Sequence, residues 1–232
     1  MPFTRTNPSP RYAELIGLYR RMHVAGDAAH GIAPEAMFPG VSLPRQAHRI
    51  KPLIARTGAR RILDYGSGKA ALYGRPVVEN GVRRWASIQE YWGIETLRCY
   101  DPAYAPFSEL PEGRFDGVVC TDVMEHCPEE DLGWIVAEMF SYAERFVFAN
   151  IACYPAKKIL PNGENAHCTV RPGGYWRSLF ERASAGFPGV LWEIWMEMAE
   201  GNPGASELRA ANFEPAPQRA EAGRRAPVWR RV

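Results

Sequence analysis

Several things are scarce in this sequence, and each scarcity excludes something. The five cysteines, Cys99, Cys120, Cys127, Cys153 and Cys168, are odd in number and form no C-x-x-C pair. A disulfide framework and a zinc ribbon are therefore not expected, and no metal site is read from the pattern. No stretch approaches the run of about 20 apolar residues that spans a bilayer. The opening MPFTRTNPSPRY holds no apolar core of a signal peptide, so a cytoplasmic chain with no membrane partner is expected. Charge of either sign is not in excess: 28 basic and 26 acidic residues leave a net +2. That is too little for the concentrated basic face of a phosphate-neutralising protein, which argues against a nucleic-acid partner. Arg219, Arg224, Arg225, Arg230 and Arg231 do cluster, in an Ala- and Pro-bearing stretch that reads as a solvated tail. No fixed-period repeat is present, which removes solenoids and propellers. Nothing in the sequence bears on oligomeric state.

What is present suits a globular chain: 232 residues, 46% hydrophobic and 23% charged, enough to bury a sizeable core. Three regions are expected. Residues 1–58 read as an N-terminal helical extension, with helices over Arg11 to Ala25 and Pro44 to Thr57 and a Gly- and Pro-bearing loop between them. Residues 59–200 alternate apolar runs with helical stretches, the pattern of βαβ units. The strands expected there are Arg61–Tyr65, Leu97–Asp101, Phe115–Thr121, Phe146–Ile151 and Val190–Met198, with helices over Glu129–Tyr142 and Tyr175–Ala185. Residues 201–232 form a tail or a final sheet element. The fold class is α/β, a doubly wound and mostly parallel sheet with helices on both faces.

Chemistry is concentrated at strand ends. Asp64-Tyr65-Gly66-Ser67-Gly68 puts two glycines directly after an apolar strand, where the chain must turn sharply and a ligand can approach the backbone. Asp101 ends the next strand, where a carboxylate can accept hydrogen bonds from ribose hydroxyls. Thr121-Asp122-Val123-Met124-Glu125-His126 ends a third, and Asp122, Glu125 and His126 are candidates for orienting an acceptor or removing its proton. A long loop from Tyr154 to Gly174 carries Lys157, Lys158, Asn162, Glu164, Asn165 and His167. His167 and His126 both remain candidates for the base.

With those residues in view, ILDYGSGKA resembles the first motif of class I S-adenosylmethionine-dependent methyltransferases, D/E-x-G-x-G-x-G. Asp101 matches their ribose-binding acid, and FDGVVCTDVMEH resembles their strand-four motif. The resemblance covers about residues 59 to 153, and the later loop is similar to that of a bacterial and phage methyltransferase-like group. It implies a Rossmann-like core with S-adenosylmethionine held by Asp64, Tyr65, Gly66, Ser67, Gly68, Tyr73, Asp101, Thr121 and Asp122. It also implies methyl transfer to a small-molecule acceptor, with His167, His126 and Asp122 as catalytic residues. Two departures stand out. Ala70 replaces the third glycine, and 37 positions separate Asp64 from Asp101, against the roughly 20 of a dinucleotide fold. The excess, about Gly74 to Gly93, is expected as an insertion near the pocket mouth. The absence of N/D-P-P-Y/F and the reversed order of Cys127-Pro128 argue against a DNA-base acceptor. A binding module without catalysis and a nucleotide- or sugar-handling enzyme are the alternatives. His23, Phe38, His48 and Lys51 reach the pocket if the N-terminal helices form a lid.

Overall fold

The computed structural model of the chain describes residues 2–79, 82–199 and 206–214. The arginine cluster Arg219 to Arg231 lies outside the described residues. β1 (Arg61–Tyr65), β4 (Thr96–Tyr100), β5 (Phe115–Thr121), β6 (Ala143–Ala152) and β7 (Leu191–Glu197) are parallel, and β8 (Glu207–Ala211) closes one edge antiparallel to β7. The order is β4-β1-β5-β6-β7-β8. The central strands read as nearly unbroken apolar runs because both of their faces are covered: six of seven residues of β5 and the last seven of β6 are buried.

Each face has its own helical layer. α2 (Ser42–Thr57) presents Leu43, Ala47, Ile50 and Ile54, spaced at helical intervals, to Ile62, Val119, Phe146 and Phe148. α4 (Glu129–Tyr142) and α5 (Gly173–Ser184) cover the other face, where Ile135, Phe140, Trp176 and Phe180 meet Leu63, Val118 and Val147. Burial of each such side chain stabilises by about 1.5–3 kcal/mol. Helices thus lie on both faces of a mostly parallel, open six-stranded sheet, an architecture compatible with a Rossmann-like fold. Among the described residues, no helix is long and apolar enough to cross a membrane.

The N-terminal region divides in two. α2 is a layer of the main sandwich, whereas α1 (Pro10–Ala25) lies over the C-terminal ends of the strands. α1 begins at Ser9, whose hydroxyl accepts from Tyr12 N (3.0 Å) and whose amide donates to Asp131 Oδ1 (3.0 Å). Pro10 at the first helical position tolerates the missing donor. Arg5 ties the preceding segment to α4 through Glu138 and to Tyr65 Oη (2.5 Å). Leu15, Leu18 and Met22 of α1 pack with Met37, Leu160 and Ala166, forming a third, smaller apolar cluster.

The crossover from β1 to β4 departs from expectation. After Gly68 the chain makes a series of turns rather than a helix. A small antiparallel hairpin follows, β2 (Val77–Glu79) with β3 (Val82–Trp85), and then the short α3 (Ile88–Trp92). This segment packs on α2: Trp92 Nε1 donates to Ala47 O (3.0 Å), and Lys51 Nζ stands 3.9 Å from the Tyr91 ring centre. None of its described residues from Gly74 to Gly93 lines the cavity described below. The insertion buttresses α2 instead of framing the pocket mouth, because its aromatic residues have α2 to bury against.

Candidate functional site

From β1 the chain runs to β4 on one side of that strand, and from β4 it returns to β5 on the other. A crevice therefore opens between the tips of β1 and β5, where doubly wound sheets bind ligands. A cavity of about 600 Å³ lies there. Its floor is Gly66, Ser67, Gly68, Asp101, Thr121 and Asp122. Its roof comes from α1 (Tyr12, Tyr19, His23), the loop at Phe38 to Ser42, and the late loop at Tyr154, Lys157, Lys158 and His167. Of the four residues expected from a lid, His23 and Phe38 line the cavity. His48 is absent from it, its Nδ1 on Arg45 O (3.1 Å), as is Lys51, which faces the Trp85 and Tyr91 rings. A second cleft of similar volume opens at the surface near Arg11 and Arg171, but those cations are already paired with Glu164 and Glu129.

The register explains the floor. Tyr65 of β1 pairs with Tyr100 of β4, so Gly66 and Asp101 emerge side by side. Gly66 and Ser67 donate their amides to Tyr100 O (2.8 and 3.1 Å), Gly68 to Asp101 Oδ2 (2.9 Å), and Lys69 to Phe38 O (2.8 Å). The amides of the turn are thus taken up within the chain. The glycines serve the fold's own packing: both have positive φ, a Cβ on Gly66 would stand 2.4 Å from Val123 Cγ2, and one on Gly68 would stand 2.5 Å from Phe38 O. The expected close approach is made by Val123 and by the loop at Phe38.

Asp64 lies beneath the turn rather than in the cavity wall. It is buried and accepts from Tyr73 Oη (2.5 Å). Burial drives its pKa up to about 7, with the hydroxyl of Tyr73 opposing and Asp101 adding to the rise. Tyr73 lines the cavity while supporting Asp64, and Tyr65 also reaches the wall, though its hydroxyl donates to Glu138 Oε2 (2.5 Å). Asp101 accepts from Gly68 N and from Ala103 N (2.9 Å each). Burial raises its pKa, and backbone amides counter that rise. A carboxylate offers about four lone-pair sites, so Asp101 keeps capacity for a ligand in the cavity it lines.

At the tip of β5 the arrangement differs. Asp122 has φ +61°, a conformation that a non-glycine residue adopts at a cost of about 1–3 kcal/mol. Its Oδ2 accepts from Ser42 Oγ (2.9 Å). Across from it, His126 Nδ1 lies 2.8 Å from Ala166 O and 2.8 Å from Tyr19 Oη, and His167 Nδ1 lies 2.6 Å from Tyr154 O. Their rings stand edge to face, centres 4.8 Å apart. Burial lowers the His126 pKa to about 4, helped by His167 and Lys158 and opposed by Asp122. Glu125 turns away into the core, where Oε1 accepts from Ala152 N (2.6 Å) and burial raises its pKa well above the usual range. The late loop is held in shape by Asn165, whose side chain bonds both Ala156 N (2.9 Å) and Ala156 O (2.8 Å) and also His167 N (2.9 Å). Asn162 and Glu164 bond within that loop and to Arg11, away from the cavity.

Of the residues singled out from sequence, the structure brings Tyr65, Gly66, Ser67, Gly68, Tyr73, Asp101, Thr121, Asp122, His126 and His167 to one cavity. Tyr19 and Ser42 were not anticipated. The sequence shows Tyr19 only as one of the apolar-spaced residues of the first helix, and Ser42 lies two residues before the expected start of the second helix at Pro44. Compared with protein-family models, with curated proteins and with solved structures, the chain matches none.

Proposed function

We propose that the chain transfers a methyl group from S-adenosylmethionine to a small-molecule acceptor, on a class I methyltransferase-like arrangement of the sheet. The observation that carries this reading is the pairing of a cavity-lining carboxylate, Asp101, with a glycine turn whose amides are already bonded within the chain. A pyrophosphate needs free amides at a helix N-terminus, and the chain runs from Gly68 into a series of turns rather than directly into a helix. A nucleoside with a cationic sulfonium and no phosphate suits the site better. Asp101 would take the ribose hydroxyls, and the carboxylates and aromatic rings of the wall suit a positive charge. The same observation disfavours the nucleotide- and sugar-phosphate alternative.

Methyl transfer is an in-line displacement whose leaving group is already good, so the protein contributes chiefly position and, for a hydroxyl acceptor, loss of a proton. Asp122, His126 and His167 are the groups at hand at the acceptor end. Isothermal titration of the purified chain with S-adenosylmethionine tests the reading. Binding is expected, weakened at least about tenfold in Asp101→Ala, which corresponds to about 1.4 kcal/mol. A folded protein that shows no binding with cofactor on the order of millimolar would overturn it.

A further inference from the structure

The three polar side chains at the tip of β5 converge in a way that acid–base work does not require. One ligand atom from each of Asp122, His126 and His167 lies within 4.8 Å of the other two. Among the described residues, every hydrogen bond of the two rings runs through Nδ1, and in both a backbone carbonyl is a partner. A carbonyl can only accept, so each Nδ1 carries the proton and each Nε2 is left with its lone pair as the ring's acceptor. Tyr19 reinforces this tautomer: its hydroxyl lies 3.2 Å from Ala166 O as donor and 2.8 Å from His126 Nδ1 as acceptor. Fixing the remote nitrogen against a carbonyl is how proteins orient metal-binding imidazoles. Asp122 is the third member of the triangle, and it sits in a left-handed backbone conformation held at an energetic cost. The neighbouring cation does not fill the triangle: Lys158 Nζ turns to Met37 Sδ (3.4 Å) and to the Phe38 ring (4.5 Å from its centre).

We infer that Asp122, His126 and His167 form a binding site for one divalent first-row transition-metal ion, such as zinc, manganese or iron(II). Two imidazoles with one carboxylate select such an ion over magnesium or calcium, which prefer oxygen alone. Bonds of about 2.0–2.2 Å place neighbouring ligands roughly 3–3.5 Å apart, so the triangle closes on an ion by shifts of about 1 Å. Three protein ligands leave coordination positions open toward the cavity, the mark of a catalytic rather than a structural site. If the methyl-transfer reading holds, on which this step rests, the acceptor class is one that presents a hydroxyl beside a second oxygen. Both oxygens would bind the ion, and the bound hydroxyl would lose its proton to solvent. The oxygen lone pair would then form the bond to the sulfonium methyl as the carbon–sulfur bond breaks, leaving a neutral thioether.

The test uses the full chain, stripped with a chelator and titrated with cobalt(II) while visible d–d bands are recorded, and with zinc and manganese by calorimetry. Expected are one ion per chain, little response to magnesium, and affinity reduced at least about tenfold in Asp122→Asn and in His167→Gln. Asn tolerates the left-handed backbone at 122 and keeps an oxygen for Ser42, so that variant reports on ligation with the fold intact, and its thermal unfolding without metal should match the parent. Folded protein giving neither bands nor heat, or binding that both substitutions leave unchanged, overturns the site. A parallel titration with S-adenosylmethionine separates the two proposals. Cofactor binding without metal binding removes only the ion, and metal binding without cofactor binding removes only methyl transfer.

Discussion

The tips of β1 and β5 lie on either side of the same crevice and have been built in opposite ways. At β1 the chain answers its own polar groups: the turn amides go to Tyr100, Asp101 and Phe38, and Asp64 is held by Tyr73 beneath the floor. At β5 the backbone is satisfied, Asp122 N donating to Asn150 O (2.9 Å), but one possible ligand atom from each of Asp122, His126 and His167 lies within 4.8 Å of the other two beside the cavity. The first tip is a rigid shelf and the second a set of ligands. A shelf made of bonded backbone can fix where a flat nucleoside lies without gripping it. A set of closely spaced imidazole and carboxylate groups is suited to gripping something small and positive.

The largest effect expected from breaking this contrast is at Gly66. Gly66→Ala combines positive φ with a Cβ 2.4 Å from Val123, and should cost about 2–4 kcal/mol in urea unfolding. A variant as stable as the parent would show that the shelf is soft. Asp64→Asn comes next. The carboxyl of Asp64 rises from 3.8 to about 7 on folding, so the native state holds its proton more tightly than the unfolded chain. Its share of stability is present below about pH 4 and is lost as pH climbs to about 7. The Asn variant should therefore flatten the parent's decline over that window by as much as a few kcal/mol, and unchanged slopes in both proteins would exclude this role. A smaller effect, about 1–2 kcal/mol in cofactor binding, is expected for Asp101→Asn, whose single oxygen must serve the ribose as well as the amides of Gly68 and Ala103. Smallest of all, His48→Ala should shift cofactor binding by less than about 0.5 kcal/mol, because the ring lies outside the cavity.

Those residues also mark how far the sequence could be read. β1, β5 and α4 have the bounds expected from their apolar runs, and α1, α2, β4 and β7 differ by a residue or two, because buried parallel strands and amphipathic helices announce themselves by period. β2 and β3 are too short for any period to register. Helix α5 begins on Gly173 and Gly174, which by propensity belong to a loop, because Gly173 packs against Leu208 and Met196. The edge strand β8, ELRAA, lacks the apolar alternation of a covered strand and is held by its ladder to β7. At the site, the individual acids and histidines were legible as polar residues at strand ends. Their convergence was not, since His126 and His167 meet only through the path of the late loop and the Asn165 clip that shapes it. The motif implies that Asp64 holds the cofactor, but its position says nothing of the side of the strand on which Tyr73 waits.

The roof over the crevice has an apolar cluster of its own, Leu15, Leu18, Met22, Met37, Leu160 and Ala166, apart from the two that hold the sheet. A separately packed unit can lift while the main core stays intact, so its opening free energy lies below that of global unfolding. Amide hydrogens of α1 should accordingly exchange with deuterium sooner than those of β5. A bound molecule's residence time would then be governed by how often six side chains part company.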